Sequence, residues 1–79
     1  MTDTVKLNER IRASGLKKNY IAKMLGIAES TLSRKINNTQ GFMAGEIQML
    51  CNLLGINTLE EQYAIFFAPA EAKRKEKKA

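Results

Sequence analysis

Apolar residues recur along this chain at intervals of three and four, the spacing that gathers side chains on one face of a helix. Leu7 and Ile11 are four apart, as are Ile21 and Leu25, and Leu32 and Ile36. Ile47, Leu50, Cys51 and Leu54 follow the i, i+3, i+4, i+7 pattern of one buried stripe. No stretch carries a convincing strand pattern. Five helices are therefore predicted, at about Thr4 to Ser14, Lys18 to Leu25, Glu29 to Ile36, Ala44 to Leu54 and Thr58 to Phe67. The ends carry matching chemistry. Asp3 or Thr4 can cap the first helix. Gly15, Gly26 and Gly55 each directly follow an apolar-periodic stretch, where a left-handed C-cap is expected. Thr58 with Glu61 three residues on reads as a capping box, and Pro69 stops the last helix.

Seventy-nine residues support one core and not two. With 44% apolar residues the chain can build that core. An all-α domain is expected over residues 1–68, followed at 69–79 by a basic tail expected to be disordered. From Ala70 to Ala79 there are five basic and two acidic residues and nothing to bury. So small a domain buries only about 60% of its unfolded surface, and a partner that binds the folded chain would add stability.

Charge narrows the class of partner. A net charge of +5 suits nucleic acid or an anionic membrane surface. Its distribution is uneven: Lys17 to Lys35 hold five basic residues against Glu29 alone, and Glu46 to Gln62 hold three acids and no base. One positive side fits docking on phosphate. The chain has no histidine and one cysteine, so histidine-based catalysis and an intrachain disulfide are both excluded. The ligands of a zinc site are lacking. No metal and no cofactor is expected, and no nucleophile–base pair or phosphate-binding loop points to an enzyme. No segment approaches the ~20 apolar residues of a membrane span. Met1 to Val5 lack the basic and apolar regions of a signal peptide, and a cytoplasmic location is expected.

The second and third helices, residues 18–36, are joined by the short turn Leu25-Gly26-Ile27-Ala28. Two short helices around a glycine-containing turn make a helix-turn-helix unit. Ala22 is small enough to let the helices cross closely, and Gly26 supplies the positive φ of a sharp turn. Ile21, Leu25, Ile27, Leu32 and Ile36 form the shared apolar underside. Glu29, Ser30, Ser33, Arg34 and, toward the end, Lys35 and Asn37 remain outward on the third helix. Such hydrogen-bonding side chains match the donors and acceptors of base edges in the major groove.

Gly15 to Ile27 resembles the second helix and turn of the Cro/phage-repressor (xenobiotic-response-element type, lambda-repressor-like) helix-turn-helix family. Ser30-Thr31-Leu32-Ser33-Arg34-Lys35-Ile36-Asn37 is similar to that family's recognition helix, and Glu46 to Ile56 resembles its fourth helix. The resemblance covers roughly Leu7 to Ile56. It implies a compact five-helix lambda-repressor-like fold, major-groove binding and dimers on palindromic operators. Three positions depart from the pattern. Lys18 replaces a glutamine that holds a phosphate and braces a recognition-helix side chain, and a lysine cannot accept the bracing hydrogen bond. Ala28 replaces a serine cap. Met43 replaces a threonine or serine before the fourth helix.

The candidate DNA-binding residues are Lys18, Asn19, Ala28, Glu29, Ser30, Thr31, Ser33, Arg34, Lys35, Asn37 and Asn38. Arg34 is the foremost base reader, because its fork matches guanine O6 and N7; a phosphate contact is the alternative. Lys18 and Lys35 are assigned to phosphates. Glu29 can accept from cytosine N4, repel phosphate, or favour the helix start. Ser30 and Thr31 can meet bases or backbone, and Ser30 can equally cap. Asn37 and Asn38 close the helix and can donate to phosphate or serve the turn alone. Cys51, on the buried stripe of the fourth helix, reads as core packing, since a redox sensor would need exposure and a lowered pKa; Met24, Met43 and Met49 read as core or edge filler. Tyr63, Phe66 and Phe67 either finish the core against the first helix or pair two subunits. The basic tail either tracks phosphates or solubilises.

The expected function is that of a sequence-specific DNA-binding transcriptional regulator, a small phage- or prophage-type Cro-like protein or repressor reading the major groove with its third helix. Its expected partner is a pseudo-palindromic double-stranded operator, bound as a homodimer at least on DNA. The alternative is a protein–protein module, antirepressor- or antitoxin-like, acting through a partner regulator.

Overall fold

A computed structural model describes residues 1–69 of the chain. The expected tail from residue 70 onward lies outside the described residues. Among those described there are five helices and no strand: α1 (Thr4–Ser14), α2 (Lys18–Leu25), α3 (Glu29–Ile36), α4 (Ala44–Leu54) and α5 (Leu59–Phe66). The all-α, five-helix expectation is met.

The helices begin and end where local chemistry dictates. The Asp3 side chain accepts from the Lys6 N–H, and Thr58 Oγ1 accepts from the Glu61 N–H at 3.1 Å. Each occupies an N-terminal amide that the helix itself cannot satisfy. α1, α2 and α4 end on Gly15, Gly26 and Gly55, all in the left-handed region. Asn38 also has a positive φ, 68°, in the connection after α3.

α4 packs against α1 and α2, and with α3 these helices build the core. Leu50, at its centre, is fully buried with Leu7 of α1, Ile21 of α2 and Leu32 of α3. Ile47, Cys51 and Leu54 extend the predicted stripe, and Ile56, Ile65 and Phe66 close the far side. Phe66 meets Phe42 edge to face at a centroid distance of 5.6 Å. Burial raises the pKa of the Cys51 thiol, and nearby Glu61 adds to the effect. A buried thiol held protonated is a packing group, not a reactive one.

Polar ties join what the core leaves at its rim. Arg10 Nη2 donates to Leu54 O at 2.9 Å and Gly55 O at 3.1 Å, which satisfies carbonyls at the end of α4. Its Nε lies 3.2 Å from Glu61 of α5. Thr4 Oγ1 donates to Ile36 O at 2.6 Å, and the Asn38 amide both accepts from Thr2 N and donates to Thr2 O, each at 2.8 Å. The end of α3 is thereby stitched to the residues that open α1.

Candidate nucleic-acid interface

The site grows from the turn between α2 and α3. Gly26, at φ 74° and ψ 28°, donates its N–H back to Lys23 O at 3.1 Å. Ile27 N reaches Ala22 O at 3.0 Å, so two carbonyls at the end of α2 are satisfied as the chain reverses. A Cβ at Gly26 would meet no atom within 4 Å. Glycine is needed there for its backbone conformation rather than for space. Ala28, extended at φ −72° and ψ 153°, then opens α3 without a side-chain cap. Buried Ala22 supports the close approach of α2 and α3 that its size implies.

With Leu32 and Ile36 sunk in the core, the opposite face of α3 is set by helical period. Glu29, Ser30, Arg34 and Asn37 are exposed along it, and Ser33 is half-buried between them. Thr31 is half-buried on the flank. Lys18 and Asn19 in the first turn of α2 are exposed, as is Ala28. So is Lys17, the N-cap of α2, which composition alone did not single out. Lys17, Lys18, Lys23 and Arg34 have no carboxylate partner among the described residues, whose ion pairs are Arg10–Glu61 and Lys35–Glu46. Their charges are free to meet an anion.

Lys35 is buried where an outward side chain was expected, while Asn38 and Phe66 each take one of the two placements left open. Lys35 is only 8% exposed; its Nζ donates to Gly41 O at 3.0 Å and lies 3.0 Å from Glu46 Oε1. An ammonium this far from water needs a counter-charge, and the glutamate eleven residues on supplies it. Burial opposes the charge on Glu46, but the Met43 N–H and Lys35 outweigh it and hold the carboxyl below its ordinary pKa. Asn38 spends its amide on Thr2 and its left-handed backbone on the turn, so it too is engaged within the fold. Phe66 is 4% exposed and belongs to the core. Tyr63 and Phe67, 66% and 50% exposed, stack on each other outside at 5.6 Å. Leu59, 83% exposed, lies four residues before Tyr63 and continues the same ridge. The i, i+4, i+8 spacing of Leu59, Tyr63 and Phe67 was the sequence signal that separates them from Phe66.

Chemically, the exposed face of α3 offers a forked cation, hydroxyls, an amide and one carboxylate, flanked by lysines at the start of α2. That set can donate to and accept from base edges while cations meet phosphates. A family model described as the Cro/C1-type HTH DNA-binding domain matches residues 6–61, which takes in all of α2, α3 and α4. No curated protein and no solved structure matches the chain significantly.

Proposed function

The chain belongs to the Cro/C1-type helix-turn-helix DNA-binding domain family, and from that premise we propose that it is a sequence-specific transcriptional regulator of the small Cro-like or repressor kind. In this reading α3 lies in the major groove. Arg34 reads a base, Ser30, Ser33 and Glu29 sample neighbouring edges, and Lys17, Lys18 and Asn19 hold phosphates. The observation that carries it is the exposed polar face of α3, fixed by a buried apolar face and a tight turn. Glu29 stands in the first turn of α3, where a carboxylate is favoured by the helix dipole, and it discriminates against misplaced phosphate. Two copies bind a pseudo-palindromic site, with the Leu59–Tyr63–Phe67 ridge as the contact between them.

Selection of bound duplexes from random DNA, followed by titration of the purified protein, tests this. A recovered motif bound at physiological salt supports it. The competing reading is a module that acts through a partner regulator, favoured by the same exposed ridge on α5. It gains if the protein alone selects no motif and binds duplex only with a second protein.

A further inference from the structure

The Lys35–Glu46 pair, with Lys35 buried and Glu46 half-buried at the rim, is unusual in so small a domain. Taking two charges from water costs free energy, and well-packed apolar residues stabilise a fold as well or better. What an ion pair adds is direction. Lys35 Nζ is aimed at two oxygens, Gly41 O in the α3–α4 connection and Glu46 Oε1 in the first turn of α4, both at 3.0 Å. The same Glu46 Oε1 accepts the Met43 N–H at 2.8 Å. One carboxylate oxygen therefore joins the last turn of α3 to the start of α4. Inside that ring the connection folds back on α3, with Thr39 N and Gln40 N reaching Arg34 O at 2.8 and 3.3 Å.

The opposite side of the same helix end is held as well. Thr4 Oγ1 grips Ile36 O and Asn38 grips Thr2. The N-terminal end of α3 has no side-chain cap, since Ala28 provides none; it is held by the backbone turn from α2 and by buried Leu32. Eight residues of helix span about 12 Å, so a tilt of roughly 5° about the C-terminal end moves the N-terminal end by about 1 Å. Groups that read a ligand by hydrogen bonds need placement within about 0.5 Å.

We infer that Lys35 and Glu46 form a positioning latch that sets the angle of α3 in the groove, and that Lys35 touches no phosphate. The inference rests on the reading of α3 as the DNA-contacting helix. Its consequence is selective. A mis-set α3 loses base contacts but keeps the diffuse attraction of lysines for phosphates, so specific binding suffers and non-specific binding does not.

The test uses the Lys35→Met, Glu46→Gln double variant of the full chain. It leaves no unpaired buried charge, and the glutamine oxygen still accepts from Met43 N. Affinities for a selected duplex and a scrambled duplex are measured over a salt series, with Lys35→Arg as the conservative variant. The expected result is a ratio of specific to non-specific affinity about tenfold lower. The salt slope on scrambled DNA is unchanged, and Lys35→Arg keeps the ratio near wild type. A slope flattened by about 0.9, with both affinities falling together, makes Lys35 a phosphate contact and overturns the inference. An unchanged ratio with only a lower melting temperature makes the pair purely structural and overturns it equally. Amide exchange supplies a readout without DNA: Thr39 and Gln40 N–H should exchange at least tenfold faster in the double variant while α1 and α5 amides do not. Unaltered exchange at those two amides overturns the latch. A wild-type protein that prefers no duplex instead sinks the reading of α3, and the exchange data then judge the latch alone.

Discussion

Arg34 works twice, once with each part of the residue. Its guanidinium is exposed and has no carboxylate partner among the described residues, while its carbonyl accepts the two amides that turn the chain toward α4. Truncating the side chain leaves the second job intact. Arg34→Ala should therefore melt within about 0.5 kcal/mol of wild type. It should weaken specific binding by roughly 1–3 kcal/mol and relax preference at one base pair. Equal loss on every duplex variant would reassign Arg34 to phosphate. Glu46 makes a different residue-scale prediction, through acid. Its folded pKa is lowered, so its contribution is fully present above the ordinary carboxylate value of about 4.3. That contribution is lost as pH falls through the folded value. Protonation removes the counter-charge of Lys35, and stability should fall as pH drops below the ordinary carboxylate range toward the lowered folded value. Glu46→Gln should be less stable at pH 7 and show a shallower acid limb; a limb as steep as wild type would place the sensitive carboxylate elsewhere.

Among the elements, the turn of the helix-turn-helix is the most demanding of sequence. Gly26 sits at φ 74° with open space around its Cα, so a side chain there is opposed by backbone strain and not by collision. Left-handed backbone costs an L-residue about 1–2 kcal/mol, and β-branching adds to that. Gly26→Val should lower the melting temperature by several degrees, roughly 4–8 °C per kcal/mol in a domain this size, and by more than Arg34→Ala does. Indistinguishable thermal unfolding of the two variants would contradict the turn. This is also the scale at which the chain was most legible. Helix ends are local: Asp3, Thr58 and the glycines at 15, 26 and 55 act on neighbours within a few residues, and those signals survive in sequence. The outward face of α3 was legible for the same reason, since Leu32 and Ile36 fix its phase. Lys35 was not. Its spacing is compatible with the edge of the polar face, and only the tertiary placement of Glu46 makes burial of the ammonium affordable. For Asn38 the turn role was legible but its partner was not, because Thr2 is 36 residues away in sequence. Within α5, helical phase separates the two readings of the aromatic cluster: Phe66 falls with Ile65 on the buried side, and Tyr63 and Phe67 do not.

At the scale of the whole molecule, two surfaces stand out for exposed groups without a partner among the described residues. The α3 face with the start of α2 carries Arg34, Lys17 and Lys18, none paired to a carboxylate among the described residues, and the α5 ridge carries three large exposed side chains, Leu59, Tyr63 and Phe67. A single module touches few base pairs, so useful discrimination requires a second copy. A two-fold pair on DNA would set its two α3 helices about 34–36 Å apart, one turn of the duplex. If the ridge makes that pair, Tyr63→Glu should fold like wild type, because the side chain is mostly in solvent, yet bind a palindromic duplex one to one and without cooperativity. Phe66→Ala is the contrasting case. It removes a buried ring packed on Phe42 and should cost about 3–5 kcal/mol of stability, with any loss of pairing following from unfolding. Sedimentation of each variant, with the palindromic duplex and with a single half-site, separates the two effects. The half-site should bind wild type and Tyr63→Glu equally, since the α3 surface is common to both. A wild-type complex that stays one to one on the palindrome removes the dimer. A Tyr63→Glu complex that remains two to one, with cooperativity intact, moves the contact off α5 to another face of the domain.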